Sequence, residues 1–139
     1  MNMLELCNHI YENYPNMKKM FPRWRLLSLL DKNEDKVFYF KENGKFICAA
    51  LYVKLTDKTF AKLDLGFVNM RNSEEVQELL KENGKNIHVI YVLANGMKSI
   101  RKGIRKVIEK ENPKTFSWYE PDMSRLHIYK IKGELCHKL

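Results

Sequence analysis

The most restrictive stretch of this chain runs from Asn86 to Lys130. Residues 86–93 (NIHVIYVL) are apolar on both alternating faces, the pattern of a strand covered on two sides. Ala94-Asn95-Gly96 follows as a tight loop. Residues 97–111 then set Ile100, Ile104, Val107 and Ile108 on one helical face. Asn112-Pro113 ends that helix, because proline disfavours helical backbone before it and cannot donate within it. Residues 115–119 return as a strand. A strand–helix–strand crossover of this length makes its two strands parallel and its connection right-handed.

The flanking elements complete the sheet. Residues 36–41 and 45–54 read as strands joined through Asn43-Gly44, the strongest short hairpin signal, because a type I′ turn needs positive φ at both central positions. Residues 59–67 alternate imperfectly through Phe60, Leu63, Leu65 and Phe67, which predicts a third strand. Residues 3–14 and 23–31 carry apolar residues at helical spacing, and residues 72–82 read as a helix capped by Asn72 or Ser73. Gly84 suits a left-handed stop after it. Residues 126–131 form the last strand. The expected order is ααβββαβαββ: one α/β domain over residues 1–139, a mixed, mostly antiparallel sheet with one parallel β-α-β crossover, and helices on both faces.

Charge then asks what such a unit holds. The chain carries 25 Lys and Arg against 17 Asp and Glu, a net +8 over 139 residues. That excess attracts polyanions: nucleic acid, an anionic membrane or a phosphate-rich cofactor. The crossover helix concentrates it: Lys98, Arg101, Lys102, Arg105, Lys106 and Lys110 stand against Glu109. Lys98 and Arg101 fall in the first turn, where the helix dipole is already positive, so a cation there is unfavourable unless an anion offsets it. The free N–H groups of the same turn would bind that anion directly. Gly96-Met97-Lys98-Ser99 is no P-loop, since that motif needs glycine immediately before the lysine and at position 92, which is Val92.

Other chemistry has weaker signals. His9, His88, His127 and His137 lack metal-ligand spacing, so no metal is expected, and His88 and His127 read as core or edge residues of strands. Cys48, on an apolar strand, reads as a small buried hydrophobe. Tyr119 and Glu120 end the strand after the basic helix, at the strand carboxyl ends where α/β sheets seat ligands; Tyr119 is placed to act as an acid and Glu120 as a base. Three cysteines without a CxxC pair, no apolar run near a membrane span, and a first segment without a basic-then-apolar pattern predict a cytoplasmic, reduced protein.

The element order and the text of residues 89–110 resemble the GNAT (N-acetyltransferase-like) acyl-CoA acyltransferase superfamily over residues 36–130. The resemblance implies that acyl-CoA pyrophosphate rests on amides at the start of the basic helix. The strand at Thr115 would splay from the strand at Asn86, leaving a gap for the pantetheine arm. Against the family loop Q/R-x-x-G-x-G/A, Ile100-Arg101-Lys102-Gly103-Ile104-Arg105 matches at the middle glycine alone. Aligned on Asn95-Gly96, the loop and helix are more similar to toxin-activating lysine acyltransferases, whose catalytic histidine has no counterpart between Tyr11 and Asp31 here.

The resemblance thus implies acetyl-CoA or another acyl-CoA held by Val92, Leu93, Ala94, Asn95, Gly96, Met97, Lys98, Ser99, Arg101 and Lys102. The thioester carbonyl would lie near the amides of Val92, Leu93 and Ala94. Tyr119 would protonate the CoA thiolate beside Glu120, and an amine acceptor would attack directly. The alternative is a non-catalytic domain of the same fold that binds nucleic acid or a protein through its basic surface.

Overall fold

The computed structural model describes residues 3–13, 22–70, 72–94, 97–119 and 125–131. Two helices lead, α1 (Met3–Asn13) and α2 (Arg23–Lys32), then a 3-10 turn at Glu34–Lys36. The hairpin of β1 (Val37–Glu42) and β2 (Lys45–Leu55) follows, then helices α3 (Asp57–Asp64) and α4 (Ser73–Leu79). The crossover unit is β3 (Asn86–Ala94), α5 (Met97–Glu111) and β4 (Thr115–Tyr119), and β5 (Leu126–Lys130) closes the described fold.

The strands form one five-stranded sheet in the order β1-β2-β3-β4-β5. All neighbours are antiparallel except β3 and β4, which are parallel, as the crossover demands. The hairpin turn has φ of 52° at Asn43 and 75° at Gly44, the positive pair that Asn-Gly supplies at least strain. β3 is the central strand; the long β2 beside it pairs with β1 over residues 45–51 and with β3 over residues 48–55.

Two apolar layers sandwich the sheet. On one face α5 buries Ile104, Val107 and Ile108 against Ala50, Tyr52, Ile87, Val89 and Phe116. On the other, α1 and α2 pack with the remaining core through Leu6, Cys7, Ile10, Leu26 and Leu30, together with Leu51, Val53, Leu55 and Leu63. Alternation along β3 divides the faces: Ile87 and Val89 lie under α5, while Ile90 joins the opposite core.

The third strand expected over residues 59–67 is a helix instead, α3. Thr56 caps it, its hydroxyl accepting the Thr59 N–H at 3.3 Å, and Asp57 occupies the favourable first turn. Phe60 and Leu63 stand three apart, a helical spacing that buries Leu63. Leu65 and Phe67, which suggested alternation, lie beyond the helix and are exposed. The helix expected over residues 72–82 is also shorter, ending at Leu79, although Asn72 caps it as expected by accepting from the N–H groups of Glu74 and Glu75.

Gly84 is not a left-handed stop; the described positive-φ glycines are Gly44 and Gly66. It is glycine because the chain passes against the end of β2, where a Cβ would lie 2.0 Å from the Leu55 carbonyl oxygen. Gly103 serves close approach too. It sits mid-helix in α5 over β2, where a Cβ would meet Cys48 Sγ at 2.7 Å. It is a packing glycine, not a loop glycine. Gly103→Ala is expected to cost about 1–2 kcal/mol despite alanine's better helix propensity. Cys48→Ala removes the crowding atom and should recover most of that loss. Urea unfolding of the four proteins would return a coupling near zero if the two residues did not touch.

Candidate functional site

The site begins with unequal pairing around β3. β2 pairs with it from Asn86 to Ala94, but β4 pairs only over Asn86↔Thr115 to Val89↔Trp118. Residues 90–94, which include Val92, Leu93 and Ala94, therefore have a described partner strand on the β2 side alone. Asn95 and Gly96 lie outside the described residues. Met97 opens α5 immediately beyond, so the start of the basic helix adjoins the half-paired end of β3.

The two ends of α5 differ in how their charges are used. At the C-terminal end, Glu111 accepts the Tyr52 hydroxyl at 2.7 Å and pairs with Lys54 at 3.3 Å. Lys110 donates to the Asp35 carbonyl at 2.7 Å and to the Tyr52 oxygen at 3.3 Å. Burial first, and then Glu111, push the Tyr52 phenol far up, so it stays a proton donor in this network. These groups fasten the helix to the sheet. At the N-terminal end there is no acidic residue in the first turn, and Lys98 and Arg101 are exposed with no ion-pair partner among the described residues. Ser99 is half-buried beside them. Lys102 is partly engaged, 3.7 Å from Glu42 and 5.1 Å over the Phe40 ring, in an exposed pair of small energetic weight.

Tyr119 lies on the other side of the sheet. It packs on the core shared with α1 and α2, while α5 covers the opposite face. Its phenol is half-buried and edge-on to His88, with ring centroids 5.6 Å apart. Burial, then the nearby Asp64 carboxylate, raise its pKa, so it is protonated at neutral pH. Glu120 lies outside the described residues.

Behind Tyr119, β3 and β4 are joined by buried polar pairs that sequence reading did not identify. Thr115 donates to Asn86 at 2.8 Å, and His88 Nδ1 meets Ser117 Oγ at 2.9 Å. Ser117 in turn donates to the Ile87 carbonyl at 3.4 Å. Asn86 also donates to the Leu55 carbonyl at 3.1 Å and to Asp57 at 2.9 Å. Each pair joins residues directly in register, so a one-residue slip would leave buried polar groups unpaired. Asn, His, Thr and Ser at alternate positions of two strands were the available signal. Cys48 is buried, and its thiol is pushed up to about 11 by burial, which makes it inert packing.

A small polar recess of about 100 Å³ lies at the other end of β3, between Lys54, Asn83, Lys85, Glu111 and Pro113. Its Lys54 and Glu111 neutralise each other, so it offers little to a charged ligand. Among the described residues no three His, Cys, Asp or Glu side chains stand together as a metal site, and no helix is long and apolar enough to cross a membrane. No protein-family model and no curated protein matches the sequence.

Proposed function

We propose that this chain is a GNAT-like, acyl-CoA-dependent N-acyltransferase acting in the cytoplasm. The carrying observation is that α5, which bears Lys98, Arg101 and Lys102, covers one face of the sheet while Tyr119 packs on the other, next to the stretch of β3 that has no described pairing with β4. A long, thin ligand with phosphates at one end and a reactive group at the other suits that arrangement. Acetyl-CoA or another acyl-CoA has that form. Its phosphates would meet the first-turn amides of α5 with Lys98, Arg101 and Lys102, and its pantetheine arm would pass between β3 and β4 toward Tyr119.

In the reaction, the acceptor nitrogen attacks the thioester carbon, held near the amides of Val92, Leu93 and Ala94. A C–N bond forms and the C–S bond breaks. The leaving thiolate takes the proton of Tyr119, the nitrogen gives a proton to Glu120, and solvent restores both groups. Calorimetry with acetyl-CoA at moderate salt tests binding. Lys98→Glu with Arg101→Glu is expected to weaken it tenfold or more, since two exposed attractions become repulsions of about 1 kcal/mol each. The thermal midpoint should hold or rise, because neither side chain has a described ion pair and an anion near the helix start suits the dipole. Unchanged affinity would remove the phosphate site from α5.

A specific feature favours the second reading, single-stranded nucleic acid. Trp118 stacks on His127 and Tyr129, each at 5.2 Å between centroids, on the face that α5 shares. Half-exposed aromatics beside a basic helix suit base stacking. Tight, salt-sensitive oligonucleotide binding without acetyl-CoA binding would select it.

A further inference from the structure

The two edges of the sheet are finished differently. β1 closes one edge, and its ladder with β2 is broken by a bulge between Phe40 and Lys41. Lys41 pairs with Glu5 of α1, so bulge, charge and helix all blunt that side. β5 closes the other edge among the described residues. It keeps an unbroken register with β4 and contains no proline and no acidic residue. Its one formal charge, Lys130, stands at the end of the strand and leaves the middle unguarded.

One bond fixes which backbone groups of β5 face outward. The Ile131 N–H bonds the Lys114 carbonyl at 2.8 Å, so residue 131 faces β4. Strand backbone alternates. Tyr129 and His127 therefore also face β4, while Leu126, Ile128 and Lys130 turn their N–H and C=O groups outward. No described strand receives them. Groups at that spacing are complementary to another extended backbone.

Both faces beside this edge are apolar and half-open. α5 lies over β1, β2 and β3. On the same face of β4 and β5, Trp118, His127 and Tyr129 form a half-exposed stack. On the opposite face Leu126 and Ile128 are half-exposed as well. An added strand would cover apolar side chains on both faces. Bases stacked on Trp118 would cover one face and leave the outward backbone unmatched, so the edge itself favours a peptide.

Charge narrows the choice of peptide. Arg125, just before β5, and Lys130 are exposed at its two ends, with no ion pair among the described residues. The whole chain carries +8. A second copy is a poor occupant, since antiparallel pairing about Ile128 would set Arg125 of each copy beside Lys130 of the other. A segment with an apolar centre and acidic ends suits both the faces and the charges.

We propose that the outer edge of β5 captures an extended peptide segment of another protein, apolar at its centre and acidic at its ends, as a further strand of the sheet. The outward groups of Leu126, Ile128 and Lys130 pair with its backbone. Tyr129 and Ile128 contact its centre on opposite faces, and Arg125 and Lys130 receive its carboxylates. The edge is separate from the gap between β3 and β4, so this docking stands independently of acyl transfer.

The test measures binding of a fluorescent peptide, Glu-Glu-Val-Ile-Phe-Val-Thr-Glu-Glu, to the full chain by anisotropy. Two further probes carry N-methyl groups on alternate central amides, one probe for each edge of the peptide strand. Strand addition predicts that one of them loses about tenfold or more in affinity while the other stays within about twofold. Ile128→Pro removes an outward donor at a position where edge strands tolerate proline, and should weaken the parent peptide about tenfold. Arg125→Glu with Lys130→Glu should weaken it by a similar factor, restore binding to a probe with lysines in place of glutamates, and leave the unfolding midpoint unchanged. Failure of the peptide to bind, equal behaviour of the two N-methylated probes, or indifference to these substitutions would overturn the proposal. So would displacement of the peptide by an equimolar thymidine oligonucleotide, which would give the face to nucleic acid. Self-association of the parent that Ile128→Pro abolishes would give the edge to a second copy instead.

Discussion

Gly84→Ala is expected to remove a large part of this domain's stability. A Cβ at this position would sit 2.0 Å from the Leu55 oxygen, 2.3 Å from its carbonyl carbon and 2.5 Å from the Thr56 nitrogen. All three are backbone atoms, so no side chain can rotate away. The backbone is also pinned on both sides. The Gly84 N–H bonds the Lys54 carbonyl at 2.8 Å, and the Leu55 carbonyl accepts from Asn86 at 3.1 Å. Relief requires the entry to β3 to move off the end of β2, breaking both bonds and uncovering Leu55, which is fully buried. The expected loss is about 4 kcal/mol or more, a large part of an ordinary domain's stability. Gly66→Ala is the internal control. It has open space around its Cβ but a φ of 81°, so it should cost only about 1 kcal/mol. Urea unfolding and a proton–nitrogen correlation spectrum of both variants decide it. A well-dispersed Gly84→Ala spectrum with a midpoint like that of Gly66→Ala would show that the two chain segments do not cross so closely.

The same glycine illustrates what a sequence can disclose. Where the cause is local, the reading and the structure agree. Asn43-Gly44 makes its turn because of its own φ preferences, and α5 runs from Met97 to Glu111 because its apolar period and Asn112-Pro113 say so. The cap at Asn72 is likewise a two-residue event. Gly84 and Gly103 look alike in sequence to a helix stop and to a loop glycine. Their role comes from Leu55 and Cys48, residues 29 and 55 positions away, and no local pattern carries that. Residues 59–67 look like a strand in sequence because Leu65 and Phe67 complete an apparent alternation. Their exposure shows that an apolar residue need not belong to a buried periodicity.

The candidate site divides in the same way. The basic first turn of α5 was legible because a cation at a helix start is anomalous by itself. Which face holds Tyr119 was not legible, because it depends on the register of β4 against β3. Nor was Asp64, whose carboxylate helps raise the Tyr119 pKa from the end of a helix that the sequence pattern presents as a strand. The division of site residues between faces changes the chemistry expected of them. Residues on one face can share a compact ligand; residues on two faces at a half-paired strand need one that threads between them.

Acidification should destabilise this fold well before its carboxylates titrate, and His88 should be the reason. Its side chain is 1% exposed and bonded to Ser117, and burial holds its pKa down at about 4 against 6.5 for a free imidazole. The native state therefore resists a proton that the unfolded chain accepts. Above about pH 6.5 neither state is charged at this residue and its contribution is complete. As pH falls from 6.5 toward 4, the unfolded chain binds the proton first, and stability declines by about 1.4 kcal/mol per unit, roughly 3 kcal/mol in all. Below about pH 4 both states are protonated and this loss levels off. Asp57 acts in a different window. Hydrogen bonds from Asn86 and Lys114 hold its carboxyl below the usual 3.8, so its stabilisation is lost only as pH falls through and below that value. His88→Asn keeps a group able to bond Ser117 but cannot titrate. It will lower absolute stability by leaving space where the ring was, yet its stability should be flatter by nearly one proton between pH 6.5 and 4. The slope separates the two effects, because a cavity shifts the whole curve while a titration bends it. Parallel urea-derived curves for parent and variant across that interval would mean that His88 is protonated within the folded protein, and that water or an acidic neighbour reaches it.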